Sequence, residues 1–343
     1  MRAIGFLACA AAIAGLSVAG IAQAQTPEAF YKGKQIRLIV ASGPGGGYDT
    51  YSRVLARFMP DHVPGKPAFV VQNMDGAGGL KATNYIYAIA PKDGTAFVST
   101  YNALTTQPLI DKQGVEYDAL KLGWVGSMGK QQQICVTWNT SPIKTIDQAM
   151  QKEMSVSATG ATGNSATLPK LLNQLIGTKF HVILGYSTSD QRLSVERGEV
   201  DGVCGLSYTT LIASNPDWIL NKKVNILLQT GDAPHPAMPD VPLVINLVKK
   251  PEDKAIVRLY ALPGDIGRPY AAPPGLPSDR LAALRRAFDA TMKDKEFLVE
   301  AEKVHLEIDP LTGEEIGKLL EEAYAAPPEA IKRMNEIMGG EKK

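Results

Sequence analysis

Apolar residues along this chain fall into two alternating patterns: short β-branched runs next to glycine, and longer stretches in which they recur every three or four positions. The first run is Ile36-Arg37-Leu38-Ile39-Val40, and Tyr51, Val54, Leu55 and Phe58 then share one side of a following segment. Alternation along a strand and a three-to-four spacing along a helix are the two periods the backbone allows, so the text reads strand, turn, helix. The turn is Gly43-Pro44-Gly45-Gly46-Gly47. The cycle repeats with a strand at 68–71, a glycine turn at 73–79, a helix over 80–90, a Pro-Lys-Asp-Gly turn at 91–94 and a strand at 95–100. Strands alternating with helices at this spacing predict a parallel sheet covered on both faces.

After Val125 the pattern restarts. A strand at 134–138, a short helix at 146–150, a strand at 155–158 and the loop from Thr159 to Ser165 lead into a helix whose apolar face is Leu168, Leu171, Leu172, Leu175 and Ile176. Further strands are predicted at 182–184, 202–206 and 224–228, and proline-rich stretches at 234–242 and 269–277 flank a return to the first unit. Ser278 is placed to cap a helix carrying Leu281, Leu284 and Phe288, while Thr312 with Glu315 has the spacing of a capping box before Ile316. No repeat of 20–50 residues is visible.

Length agrees with two units, since roughly 320 residues after a leader exceed what one core usually organises. The leader itself is Arg2, an apolar stretch at 3–22 diluted by glycine and serine, and the small-residue pattern Ala22-Gln23-Ala24. That is the form of a cleaved signal peptide over residues 1–24, with the mature chain starting at Gln25. The predicted domains are then 25–126 together with 255–343, and 127–254. The formal net charge is +1 with no long run of either sign, which argues against nucleic-acid binding and against a polybasic membrane patch. Cys135 and Cys204 remain after processing; in an oxidising compartment they either pair or stand apart as small buried residues.

The glycine loops have a chemical use. A helix begins with N–H groups that no carbonyl satisfies and with the positive end of its dipole, and glycine lets an anion approach them closely. Two such places occur, 41–49 and 160–167, each leading directly into an amphipathic helix. Enzyme chemistries fare worse on the same residues. Gly47-Tyr48-Asp49 lacks the Lys-Ser/Thr of a phosphate loop, and the glycines do not have dinucleotide spacing. His62, His181, His235 and His305 are scattered without metal-ligand spacing, so no metal is expected. No Gly-x-Ser-x-Gly elbow is present, so no catalytic residue is assigned.

The segment Tyr31 to Val40, the turn Gly45-Gly46-Gly47-Tyr48-Asp49, Asn73-Met74-Asp75-Gly76-Ala77-Gly78-Gly79 and Ala90-Pro91-Lys92-Asp93-Gly94-Thr95 stand in the order and spacing of a known family. Further correspondences lie at 158–169, Gly185-Tyr186, 197–202 and Met238-Pro239-Asp240-Val241-Pro242. The whole mature chain resembles the Bug-type (TctC-like) substrate-binding proteins of tripartite tricarboxylate transporters. The resemblance implies a type II periplasmic-binding fold, two α/β lobes closing on a cleft like a Venus flytrap, with a ligand carboxylate gripped between two loops. It implies Ser42, Gly46, Gly47, Tyr48 and Asp49 on one side, Gly160, Asn164, Ser165 and Thr167 on the other, and Asn102, Tyr186 and Asp190 as secondary contacts.

Three departures from the family pattern bear on the ligand. Tyr48 stands where a small residue is usual, Met74-Asp75 replaces an arginine-proline pair, and Ser187-Thr188-Ser189-Asp190 replaces a more glycine-rich turn. Tyr48 suits stacking on an aromatic acid or packing at the cleft edge, and Asp190 suits an ammonium group or a helix cap. The expected protein is a monomeric periplasmic binding protein without cofactor. Its partners are a mono-, di- or aromatic carboxylate or an amino acid, and membrane permease subunits. A ligand-sensing adaptor for a receptor kinase and a secreted enzyme are the rival readings.

Overall fold

The computed structural model describes residues 25–161 and 163–339. The expected signal peptide and Cys9 lie outside them, as does Thr162 in the second glycine loop. No helix among the described residues is long and apolar enough to cross a membrane.

Eleven strands among the described residues form two sheets. In chain order they are β1 Gln35–Val40, β2 Ala68–Asn73, β3 Ala96–Ser99, β4 Gly123–Ser127, β5 Gln133–Trp138, β6 Met154–Ala158, β7 Phe180–Leu184, β8 Gly202–Ser207, β9 Val224–Gln229, β10 Pro269–Ala272 and β11 Leu311–Thr312. The first sheet has the order β11-β4-β10-β3-β1-β2 and the second β7-β6-β8-β5-β9. β1 runs parallel to β2 and β3, and β6 parallel to β7 and β8, as the alternating pattern predicts.

The sheets are mixed, however, rather than parallel throughout. β10 lies antiparallel between β3 and β4, and β5 antiparallel between β8 and β9. Each of these strands enters its sheet from the segments that cross between the two units, so its direction is set by where the chain crosses. Local periodicity carries no information about that choice. One parallel βαβ order with one inserted antiparallel strand therefore appears in both sheets, and the first adds a short antiparallel edge strand, β11 against β4.

Both sheets are covered on two faces. Leu38, Leu55, Phe97, Tyr270 and Phe288 fill one side of the first sheet, and Ile39, Ile86, Val98 and Trp124 the other. In the second, Met154, Val156, Leu168 and Leu172 lie on one face, and Ile134, Val136, Val203 and Trp218 on the other. The tail divides between them. Ile256 and Tyr260 of the Pro251–Ile266 helix join the second core, as do Ala330 and Met334 of the Pro328–Gly339 helix, whereas Leu262 and Ile266 join the first. Cys135 and Cys204 are neighbours across β5 and β8, and there they form a buried disulfide.

Caps explain two helix starts. Thr312 and Glu315 make the reciprocal bonds of a capping box before the Gly313–Tyr324 helix. Ser278 does not cap. It is the first helical residue, Pro277 holds the preceding position without a side-chain bond, and the fixed φ of proline is enough to start the turn.

Candidate functional site

The first glycine turn joins β1 to the Gly47–His62 helix. Gly45 has φ +82°, a left-handed conformation that a side chain would strain, and it turns the chain so that its N–H donates to Asp49 Oδ2 at 2.8 Å. Gly46 at the helix cap has no side-chain oxygen, so the first turn of the helix keeps open N–H groups and its positive dipole end. Asp49, 3% exposed, holds the turn from within. Its Oδ2 also accepts from Arg53 Nε at 2.8 Å, and its Oδ1 accepts from Asn73 Nδ2 at 2.8 Å. Burial alone would raise its pKa; the bonds from Arg53, Gly45 and Asn73 outweigh it and keep the carboxyl below the usual aspartate range. The carboxylate of Asp49 thus belongs to the turn.

Ser42 carries the clearest ligand signal in this turn. Its carbonyl accepts from Asn73 Nδ2 at 2.8 Å, while its hydroxyl is buried without a hydrogen-bond partner. Buried hydroxyls are nearly always paired, so an orphan beside an uncapped helix start calls for an outside acceptor. Tyr48 points away from the turn. Its hydroxyl accepts the N–H of Asn102 at 3.0 Å and lies 3.1 Å from the Gly267 carbonyl and 3.3 Å from Gln131 Oε1. Burial pushes its pKa up to about 12, against the Asn102 N–H and the nearby Arg268 charge. Tyr48 therefore links the first turn to the crossing strands, its ring edge-on to Tyr101, and of the two roles expected for it packing is the one seen.

The second turn, between β6 and the Asn164–Ile176 helix, repeats the arrangement without a carboxylate; Lys170 Nζ donates to its Ala161 carbonyl at 3.2 Å. Gly163 caps the helix without a side chain, and Ser165 Oγ accepts the Thr159 N–H at 3.1 Å. Gly205 is essential to its shape. With φ +71°, it lets β8 run so close to the helix start that a β-carbon would overlap the Asn164 carbonyl group. Ser165, Thr159, Asn164, Gln191, Arg192 and Ser207 line a small cavity of about 210 Å³ here.

Asn164 also lines a larger cavity of about 540 Å³ together with Gln133, Tyr260 and, from the first unit, Asn102 and Thr106. The structure thus brings Asn102 and Asn164 to one space. Thr167 is turned inward, its hydroxyl 3.4 Å from that of Tyr260, which donates to Gln133 Oε1 at 2.9 Å. Gly160 is exposed with open space around it, and Tyr186 is half-buried against the Val195–Trp218 side of the second sheet. Asp190 is exposed; its N–H donates to Ser187 Oγ, which caps the helix and donates in turn to the Asp190 carboxylate, so the cap is Ser187 and Asp190 supports it from within the first turn.

Several residues at these places carried no signal in the sequence. Asn73 reads as part of a second glycine turn, but its side chain is the clamp on the first. Gln131, first of three consecutive glutamines, Gln191 and Ser207 belong to no binding motif. Arg268 is a single cation at the head of an otherwise apolar strand, and in the structure it is only 7% exposed and lies beside Gly47. A charged residue in such a strand is the one sequence feature that would have singled it out. Where the chain crosses between units, burial and the neighbouring Asp232 raise the Asp265 pKa to about 7, against the attraction of Lys130.

Two mixed α/β sheets of matching strand order, with a cavity between them reached from both, define the two-lobed fold of periplasmic binding proteins. No family model matches the chain. Part of it is 34% identical over 118 residues to protein BugT of Bordetella pertussis, a match spanning 33% of this chain and 35% of that protein. The fold is shared with a TctC solute-binding protein from Polaromonas (TM-score 0.70, 18% identity, 88% of this chain and 99% of that one). It is also shared with MatC from Rhodopseudomonas palustris solved with bound malate (TM-score 0.56, 18% identity, 89% and 99%). The sequence match and the shared fold bear out the resemblance to Bug/TctC-type periplasmic binding proteins.

Proposed function

We propose that this chain is an exported periplasmic solute-binding protein that closes two lobes on a small carboxylate. In this reading the liganded form is delivered to the membrane subunits of a tripartite tricarboxylate-type permease, and no bond is made or broken. The observation that carries it is the cavity of about 540 Å³ in which Asn102 of the first unit meets Gln133 and Asn164 of the second. The orphan hydroxyl of Ser42 and the uncapped helix start at Gly46 support an anionic end group. Malate in a protein of the same fold supports a small carboxylate. Ligand that touches both lobes stabilises the closed state by its differential affinity for it, and closure creates the surface a permease reads.

The test is a thermal-shift screen of the chain from Gln25 against malate, adipate, glutamate and benzoate, with glucose and divalent metal as controls. A ligand at a hundred times its Kd adds about 2.7 kcal/mol, which in a protein of this size raises Tm by about 4 °C. A shift with glucose or metal and none with any carboxylate overturns the proposal. The bound acid is expected to be recovered unchanged after prolonged incubation, and its uptake to stop when the gene is deleted.

A further inference from the structure

Arg268 stands between Gly267, in the crossing segment, and β10. Its backbone N–H is held by Gly129 O at 3.1 Å and Ser127 Oγ at 3.0 Å, so the origin of the side chain is rigid. The guanidinium lies 4.1 Å over the Tyr51 ring and 5.4 Å from that of Tyr48. Among the described residues no carboxylate comes within ion-pairing distance of it. Contacts with aromatic faces replace only part of the hydration a cation loses on burial, so this charge is under-compensated.

Its direction is specific. Nη1 lies 3.0 Å and Nη2 3.5 Å from the place a β-carbon on Gly47 would occupy. Gly47 opens a 16-residue helix whose first turn has no side-chain cap, and the orphan Ser42 hydroxyl lies 3.9 Å from the corresponding position on Gly46. A buried cation beside Gly47 and a free hydroxyl beside Gly46 thus flank the positive start of one helix. Lys in place of Arg268 would carry the charge there without the planar fork that engages two carboxylate oxygens.

We infer that Arg268 is a specificity-determining residue of this site: the ionised carboxylate docked at Gly46 and Gly47 completes an ion pair that the protein leaves open. The inference rests on the carboxylate-binding reading above and adds to it a requirement for charge. A neutral isostere of the same shape is rejected, because it would leave the buried guanidinium without a counter-ion. It also gives Gly47 a role, since any side chain there would stand between the guanidinium and the anion.

The test is calorimetric titration of the chain from Gln25, as wild type, Arg268→Gln, Arg268→Lys and Gly47→Ala. The probes are malate, adipate, glutamate and benzoate, each beside its amide counterpart. Wild type is expected to prefer the tightest acid over its amide by about a hundredfold or more. Arg268→Gln should weaken that acid by about a hundredfold while leaving the amide within about threefold, so that the preference collapses. Arg268→Lys should restore most of the preference. Retention of acid affinity within threefold in a folded Arg268→Gln protein overturns the inference and leaves the carboxylate reading intact. If Arg268→Gln does not fold, Gly47→Ala decides: a loss of about tenfold or more for the acid alone supports the ion pair, and wild-type affinity overturns it. Absence of binding to every acid by the wild type overturns both readings together.

Discussion

Each sheet starts a helix from a glycine turn with no side-chain cap, and the two turns are held by opposite chemistry. At the first, the bonds are ionic: Asp49 is gripped by Arg53 and Asn73, and Arg268 lies buried behind the helix start. At the second there is no carboxylate: Ser165 Oγ accepts the Thr159 N–H, Lys170 Nζ donates to the Ala161 carbonyl at 3.2 Å, and Arg192 is partly exposed and donates to Ser214 Oγ at 3.1 Å. The second unit has the disulfide, and among the described residues the first has none. Charge thus supports the first turn and covalent chemistry the second sheet. Because ionic bonds respond to pH and a cross-link responds to reductant, the two lobes are open to separate perturbation.

The largest effect separates them by redox. The disulfide closes a loop of 69 residues, and in the chain-entropy model its loss costs about 4 kcal/mol. A paired Cys135→Ala, Cys204→Ala variant should therefore unfold at markedly lower urea, with early hydrogen exchange confined to the second sheet. Uniform loss across both sheets would show that the lobes unfold as one unit.

Next comes the contrast between the caps. Asp49→Ala removes three buried bonds and should cost about 2–3 kcal/mol, whereas Ser165→Ala removes one neutral bond and should cost about 1 kcal/mol. Only the first effect depends on pH. The folded pKa of Asp49 is below its unfolded value of 3.8, so its contribution is fully present above about pH 4 and is lost as pH falls through the lower folded value. Melts at pH 6 and pH 2.5 check this: the difference between wild type and Asp49→Ala should shrink in acid, and that for Ser165→Ala should not change.

A β-branched residue at the first turn probes ligand space. Gly46→Val should weaken binding of the acid found in the screen by about tenfold or more while costing under about 1 kcal/mol of stability, because the Gly46 backbone (φ −78°, ψ 168°) is one that valine adopts. Equal losses in urea melts and titrations would mean a turn that serves folding alone. The smallest effect lies at the crossing, which belongs to neither turn. Asp265 has its pKa raised to about 7, so between about pH 4 and 7 the folded state keeps a proton that the unfolded state releases, and stability falls as pH rises through that window. Asp265→Asn should remove this slope and raise stability at pH 8 relative to wild type, read from melts at pH 4.5 and 8.

Particular residues show where reading the sequence stops. Hydrophobic periodicity located β1, β2, β3 and the helices that follow the first two, because burial of one face imposes its period on any chain; the short turns after β3 at 102–110 carry no such period. The Thr312–Glu315 cap was legible because a capping box is closed by residues three apart. Both glycine turns were legible as helix starts, and the roles of their side chains were not. Thr167 turns toward Tyr260, 93 residues away, and Tyr48 toward Gly267, 219 residues away. Cys135 and Cys204 were open between pairing and separation until the register of β5 and β8 set them side by side.

The sequence by itself determined two α/β units and their glycine turns, since each follows from contacts within about twenty residues. Only the tertiary structure decided that β5 and β10 run against their neighbours, that Asn102 and Asn164 share one cavity, and that Arg268 lies behind Gly47. These depend on where the chain crosses between lobes, and chain crossings are fixed by packing of distant surfaces. A buried cation becomes informative only when its surroundings show that no anion is there to meet it.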